Sequence, residues 1–289
     1  MERIGLVGIG AMGSGIAENL LKAGHPVWAF HRPTPSGKAA AEKLSALGAE
    51  TCEDLGEVFS KADVLAICLP RSEDVESIIL GPGGLAEARG TTVRTVLDFS
   101  TAHPDSTRKL HSLLKGEGVD FLDSPMTGSV REAKEGTLNL IAGGEEGVFR
   151  RVEPLLRRIS ALALYAGPSG SGNLVKLANN LLAILDQAVT ARISIELDRN
   201  GISPNVYTEF LGKSSANSGG FRLMMYRIMS GDFARKFELS LALKDIGYCR
   251  DVFPSPFAEE LHSFLTKASE AGYGDKDIGA MYHYLKENS

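Results

Sequence analysis

The sequence predicts an α/β chain: a doubly wound, mostly parallel sheet at the N-terminus, then an all-α domain joined to it by one long helix. Three observations predict this. Short apolar runs alternate with helical periodicity from Arg3 to about Tyr165. No strand pattern returns after Pro168. Between the two regions lies Gly170 to Asp198, GSGNLVKLANNLLAILDQAVTARISIELD, apolar almost all the way round, which marks a buried helix. The Gly-Pro-Ser-Gly-Ser-Gly run before it separates residues 1–167 from residues 168–289. A chain of 289 residues, 43% hydrophobic and 23% charged, has room for two such domains.

Arg3 to Val7 reads as a buried strand. It runs into Gly8-Ile9-Gly10-Ala11-Met12-Gly13, and a helical pattern follows to near Gly24. This is G-x-G-x-x-G after a strand and opening a helix. Gly8 allows the tight turn, Gly10 lets the backbone approach a pyrophosphate, and Gly13 lets helix and strand pack closely. The helix start at Ala11 and Met12 offers N–H groups to phosphates. The next strand, Pro26 to Phe30, completes a βαβ unit, so the pattern predicts a Rossmann-type dinucleotide site. At that strand's tip an NAD site usually carries an acid for the ribose 2′-hydroxyl. Here the tip is His31-Arg32-Pro33-Thr34, with no acid between Val27 and Ser36. Arg32 suits a 2′-phosphate, and His31 and Thr34 can add hydrogen bonds, which predicts NADP (NADPH) as cofactor. The competing reading of Arg32 is a solvated surface arginine.

Gly37 to Leu47 reads as a helix, and Asp63 to Cys68 as a third apolar strand. That strand ends at Leu69-Pro70, a position that lies near the cofactor in a doubly wound sheet. Val93 to Asp98 is a strand and Pro104 to Gly116 a helix. Between them Ser100 and Thr101 either contact the nicotinamide end of the cofactor or merely cap the helix after His103. A strand from Asp120 ends in Thr127-Gly128-Ser129, before a short helix, Val130 to Lys134. Two hydroxyls and a glycine at such a turn make a small anion nest that suits a carboxylate; the alternative is an ordinary N-cap at Ser129. Gly136 to Gly143 is a strand, Glu145 to Arg158 a helix, and Ala161 to Tyr165 a last strand.

On the long helix, Asn173, Lys176, Asn180 and Gln187 recur at spacings of three, four and seven, so they share one narrow face. Buried polar groups need partners. Either the helix simply joins two domains, with Lys176 reaching solvent along its stem, or the stripe marks an active site at the domain junction. Beyond it, Pro204 to Leu211, Gly219 to Met229, Leu239 to Val252, Pro256 to Ala271 and Lys276 to Lys286 read as helices. Lys244-Asp245 either faces the junction or forms an exposed charged turn.

Other function classes lose support. The net charge of −5, with no basic block, gives no reason to expect nucleic acid. No apolar run is long enough to span a membrane, and MERIGLVGIG carries no cleavable signal pattern. Cys52, Cys68 and Cys249 lack metal-like spacing, so no metal is expected, and unpaired thiols fit a reducing cytoplasm. The apolar helices of the second domain predict a homodimer or homotetramer.

Taken together, these motifs resemble the β-hydroxyacid dehydrogenase family, typified by 3-hydroxyisobutyrate dehydrogenase. GLVGIGAMGSGIAENLLKAGHPVWAFHR is similar to the family's cofactor motif, DSPMTGSVREAKEGTLNLIAGG to its substrate motif and GSGNLVKLANN to its catalytic motif. FELSLALKD and GYGDKDIGAMYHYL are similar to its two C-terminal signatures, so the likeness covers nearly the whole chain. The resemblance implies Lys176 as proton donor and acceptor, with Asn180 holding it or the substrate. It implies Thr127, Gly128 and Ser129 as carboxylate contacts, and Thr101 and Lys244 near the nicotinamide end. Two residues depart from the usual pattern: Thr127 stands where the family has Ser, and Ser129 where it often has Gly. A Ser-Gly-Ser version is similar to the NADPH-using glyoxylate and succinic semialdehyde reductase branch, which implies a small carboxylate-bearing aldehyde as substrate.

In such a reaction hydride passes between C4 of the nicotinamide and the carbonyl carbon. A buried ammonium at Lys176 would stabilise the developing alkoxide and protonate it, and burial would bring the lysine pKa nearer working pH. The alternatives are an NAD-dependent 3-hydroxyisobutyrate dehydrogenase, an imine reductase, a 6-phosphogluconate dehydrogenase and a non-catalytic NADPH-binding scaffold. Imine reductases generally lack the lysine that stands here at 176. A 6-phosphogluconate dehydrogenase needs a larger helical domain, and a scaffold has no use for lysine, asparagine and nest together.

Overall fold

The computed structural model describes residues 1–288. The chain divides into two compact units, residues 1–176 and the residues from Leu177 onward.

The first unit alternates strand and helix as the sequence predicts. In order it contains β1 (Ile4–Val7), α1 (Ala11–Lys22), β2 (Val27–Phe30), α2 (Pro35–Ala46), β3 (Glu50–Cys52), α3 (Leu55–Lys61), β4 (Val64–Ile67) and α4 (Ser72–Leu80). There follow β5 (Thr95–Asp98), α5 (Pro104–Gly116), β6 (Asp120–Asp123), β7 (Met126–Thr127), α6 (Val130–Glu135), β8 (Leu138–Gly143), α7 (Glu146–Leu156), β9 (Ser160–Gly167) and the first residues of α8 (Ser171–Arg199). Strands β3-β2-β1-β4-β5-β6 run parallel in that order, the arrangement of a doubly wound dinucleotide-binding sheet. Strands β6 and β7 pair antiparallel with β8, and β9 runs parallel beside β8. The central strands β1, β4 and β5 are buried along their whole length, so they read as continuous runs rather than alternating ones. On β4, Val64 and Ala66 join one core cluster with Ile16, Leu20 and Phe149, while Leu65 and Ile67 join another with Phe59, Ile79 and Phe121.

Several elements differ from the sequence reading. Asp63 to Cys68 is the fourth strand, not the third: β3 precedes it, and α3 and α4 were not anticipated. A three-residue edge strand is too short to carry a period. The strand expected from Asp120 to Thr127 breaks at Ser124-Pro125, since proline cannot donate to a sheet ladder.

In the second unit α8 continues, followed by α9 (Pro204–Gly212), α10 (Gly219–Ser230), α11 (Leu239–Val252), α12 (Pro256–Ala268) and α13 (Met281–Glu287). Leu177, Ile184, Ala191 and Ile195 of α8 pack with Met224, Ile246, Leu261, Leu265 and Met281 in its core. Here α8 is not enclosed by its own chain, contrary to the expectation of a helix buried all round. Val175, Leu182, Val189 and Ile193 are 48%, 72%, 48% and 45% exposed, and their spacing puts them on one stripe. The helix expected to Ala271 ends at Ala268 and passes into a π-helical turn, Ser269–Tyr273, with Gly272 at φ +86°. The last helix starts at Met281 rather than Lys276, because Asp277 caps a turn there and bridges to Glu238.

Candidate functional site

The glycines of the β1–α1 turn meet different demands. Gly8 sits at φ +100°, and a Cβ there would stand 2.1 Å from the Cys68 carbonyl oxygen. A Cβ on Gly13 would stand 1.9 Å from the Gly8 carbonyl oxygen. Gly10 is different: a Cβ there would meet nothing within 4 Å. The protein's own packing does not require that glycine, and the space it leaves fits the close approach of a diphosphate. Gly10 is also the N-cap of α1, with no side-chain cap and no acid in the first turn, so the helix end at Ala11-Met12 suits an anion.

At the tip of β2, Arg32 and Thr34 are exposed and His31 is buried. Thr34 caps α2, its hydroxyl accepting from the Gly37 amide at 3.1 Å. The His31 amide donates to the Cys52 carbonyl, and its Nε2 lies 4.0 Å from Oε1 of Glu53. This acid was not found from the sequence, because it follows β3 rather than β2. Parallel pairing of Phe30 with Cys52 makes the residues just beyond them neighbours.

Beyond β4, the Leu69 amide donates to the Ser100 hydroxyl at 2.9 Å, so buried Ser100 braces the Leu69-Pro70 turn. The cap of α5 is His103, whose Nδ1 accepts from the Asp105 amide; neither Ser100 nor Thr101 fills that role. Thr101 is half-buried.

At Thr127-Gly128-Ser129, Gly128 takes φ +135°. The capping alternative is realised at Ser129. Its hydroxyl accepts from the Arg131 amide, and its amide donates to Glu132 at 2.9 Å, a capping box. Its hydroxyl also bonds Glu132 closely, and these bonds hold the Glu132 carboxyl below its ordinary value.

The polar stripe on α8 resolves into separate partnerships. Asn173 is fully buried: its Oδ1 accepts from the Ala102 amide at 2.9 Å and its Nδ2 donates to Thr107 at 3.1 Å. Asp123 accepts from the Gly170 and Asn173 amides at 2.8 and 2.9 Å. One turn on, Lys176 is half-buried. Within the second unit, Asn180 donates from Nδ2 to Oδ2 of Asp245 at 2.6 Å, and Oδ1 of Asp245 pairs with Lys244 at 2.9 Å. The Lys244 and Asp245 side chains are 7% and 3% exposed, which removes the exposed-turn reading; the Lys244 ammonium also lies 5.2 Å from the Tyr248 ring centre. Gln187 belongs elsewhere, its Oε1 accepting from Arg227 at 2.7 Å. Asp245, which the sequence reading did not single out apart from Lys244, is the partner that Asn180 meets.

Among the described residues no cluster of three or more His, Cys, Asp or Glu side chains could hold a metal, and no helix is long and apolar enough to cross a membrane. Burial pushes the thiols of Cys52, Cys68 and Cys249 up to about 11, 12 and 12.

Comparison with known proteins agrees with this architecture. Residues 3–167 match the family model described as the NAD binding domain of 6-phosphogluconate dehydrogenase. Residues 170–285 match that described as NAD-binding of NADP-dependent 3-hydroxyisobutyrate dehydrogenase. The chain is 33% identical to 2-(hydroxymethyl)glutarate dehydrogenase of Eubacterium barkeri, over 96% of this chain and 93% of that one. It is 28% identical to 3-sulfolactaldehyde reductase of Escherichia coli, over 99% and 96%. A solved structure of Mycobacterium tuberculosis 3-hydroxyisobutyrate dehydrogenase with L-serine superposes at a TM-score of 0.88 and 27% identity, covering 99% of each chain. With both halves matched, and with relatives aligned along almost their whole length, the chain belongs to the β-hydroxyacid dehydrogenase family and is an NAD(P)-dependent dehydrogenase or reductase acting on CH–OH groups.

Proposed function

We propose that this enzyme uses NADPH to interconvert a small carboxylate-bearing semialdehyde and its hydroxyacid, with Lys176 as proton donor and acceptor. The observation that carries the reading is Lys176 itself, half-buried one turn after the Asp123–Asn173 anchor and one turn before Asn180 on α8. A bound nicotinamide supplies or accepts the hydride. In reduction the Lys176 ammonium faces the growing negative charge on the carbonyl oxygen and gives it a proton; in oxidation the neutral amine removes that proton. Asn180, oriented by Asp245, holds the lysine or the substrate oxygen. The names of both relatives above combine an alcohol or aldehyde with an acid group, which supports an anionic substrate here.

Thr127, Gly128 and Ser129 are proposed to take the substrate carboxylate, displacing that of Glu132 from the Ser129 amide and hydroxyl. Replacing Ser129 would also remove a helix cap worth about 1 kcal/mol, so the cleaner measurement varies the substrate. An aldehyde acid should be reduced with a lower KM than its uncharged counterpart, because the nest contributes binding common to ground and transition states. Equal kcat/KM for the pair would remove the carboxylate site. Turnover of NADPH across a panel of semialdehydes tests the whole reading and identifies the substrate.

Arg32 supports the NADPH preference. Hydrogen bonds involving charged groups contribute about 1.5–3 kcal/mol each. One or two of them to a 2′-phosphate should favour NADPH over NADH by roughly 10- to 1,000-fold in kcat/KM. Arg32→Ala should remove most of that preference and spare NADH use. A specific observation favours the opposing, NAD-dependent reading: Glu53 beside His31 puts an acid where a 2′-phosphate would be repelled. Equal or better kcat/KM with NADH in the unmodified enzyme would decide for it.

The exposed apolar stripe Val175–Leu182–Val189–Ile193 supports assembly as a homodimer or homotetramer. Sedimentation equilibrium tests this, with a monomer at micromolar concentration as the opposing result.

A further inference from the structure

We infer that Asp123 is a positioning residue for Lys176, acting through the first turn of α8, and that it must be ionised to do so. The inference rests on the reading of Lys176 as the proton donor.

Asp123 ends β6 and is fully buried. Its two carboxylate oxygens accept separately from the two ends of the turn that opens α8: Oδ1 from the Gly170 amide at 2.8 Å, Oδ2 from the Asn173 amide at 2.9 Å. A Cβ on Gly143 would stand 2.7 Å from Oδ1, and a Cβ on Gly172 would stand 2.5 Å from the Ile141 carbonyl oxygen and 2.9 Å from Oδ2. The two glycines leave room both for the carboxylate and for the close approach of β8 to the turn. Asn173 carries the same anchor further, to Ala102 and Thr107. Lys176 follows Asn173 by three residues, about one turn, so the direction of its side chain is set by the turn Asp123 holds.

An ionised carboxylate accepts strongly at both oxygens; protonation turns one into a hydroxyl, a much weaker acceptor for the backbone N–H it faces. The charge is carried at a cost to the fold. Burial pushes the Asp123 carboxyl up to about 6, against the amide bonds, which lower it. A raised folded-state value means that the folded chain binds the proton more tightly than the unfolded one. Ionised Asp123 thus costs stability at neutral pH, and the cost fades as pH falls through about 6 towards the ordinary carboxylate range.

Charged and titratable groups lie on the elements packed against it. Asp98 is its register partner on β5, with Oδ1 accepting from the Ser100 amide at 2.9 Å. Arg108 of α5 packs against Gly170 and pairs with Asp105. His111 of α5 meets the Phe121 carbonyl, and Tyr165 of β9 donates to the Gly144 carbonyl. Lys176 is on α8 itself.

The experiment measures reduction across about pH 5–8 for the unmodified enzyme, Asp123→Asn and Lys176→Ala, with the NADPH Kd and calorimetric Tm of each. Asparagine keeps the shape but has only one acceptor oxygen. The unmodified enzyme should lose kcat as pH falls through about 6 while its NADPH Kd holds. A protonated Lys176 cannot cause that loss, since reduction needs the ammonium. Asp123→Asn should lack this acid limb, lose kcat by roughly 10- to 100-fold at neutral pH, and keep both Kd and Tm. Unmodified kcat with the acid limb intact in Asp123→Asn would overturn the inference. So would a parallel fall of kcat, cofactor affinity and Tm, which marks support of the fold alone. Lys176→Ala retaining turnover would sink the lysine reading and this inference with it; Lys176→Ala losing turnover while Asp123→Asn keeps it would sink this inference alone.

Discussion

Lys176→Ala should lower kcat for reduction by roughly 10²–10⁴-fold, the range contributed by a positioned general acid, while leaving NADPH binding largely intact. The side chain is half-buried on the exposed-to-buried edge of α8, so its removal leaves no large cavity and the Tm should change little. The anchor before it, Asp123 and Asn173, is untouched by the substitution. Loss of kcat and kcat/KM by the same factor would identify an interaction made only in the transition state. Near-normal turnover on the best substrate of the panel would make Lys176 structural and remove the proposed mechanism.

Asp277→Ala should have the largest effect on stability. Arg227 and Asp277 form an ion pair at 2.8 Å with side chains 4% and 0% exposed. Oδ2 of Asp277 also accepts from the Lys236 and Phe237 amides at 2.9 and 3.1 Å, and Oδ1 from the Gly279 amide at 2.9 Å. Burial pushes the Arg227 guanidinium down while Asp277 pulls it up, so without Asp277 an uncompensated cation remains in the core. Removing one partner of such a pair costs about 3–5 kcal/mol, which corresponds to a fall of roughly 10 °C in Tm. Replacing Arg227 and Asp277 together by apolar residues should cost less than the sum of the single changes, because no charge is then stranded. A Tm for Asp277→Ala within about 2 °C of the unmodified protein would show that the pair carries no such weight. The same cluster explains Gln187: its carbonyl serves Arg227, so it belongs to the core of the second unit rather than to the chemistry.

Much of the architecture was legible because it is written in local periods. Alternation of apolar runs with a 3.6-residue period produced the order of strands and helices through β9, apart from β3, α3 and α4. Gly8 and Gly13 could be assigned because a turn followed by a packed helix start leaves no room for a side chain. The long helix was visible as a continuous apolar stretch, and its polar residues stood out by spacing. Where periods were too short they failed: β3 has three residues, and the acid that follows it, Glu53, was missed with it. The competing readings at Ser129 and Lys244-Asp245 could not be decided locally. A capping box needs the Glu132 side chain to turn back, and the burial of Lys244 depends on what packs over α11.

By itself, then, the sequence determined the α/β order, the glycine turn that suits a diphosphate, and the one-face array of Asn173, Lys176, Asn180 and Gln187 on α8. Those follow from steric limits and helix geometry, which act over a few residues. Only the tertiary structure decided which partner each polar group has. Asp123 grips the start of α8 from 47 residues away, Asn180 meets Asp245 from 65 residues away, and Arg227 answers Gln187 from 40. A buried polar group is satisfied by whatever packing brings within 3 Å or so. That distance is set by the fold as a whole and leaves no mark in the neighbouring residues.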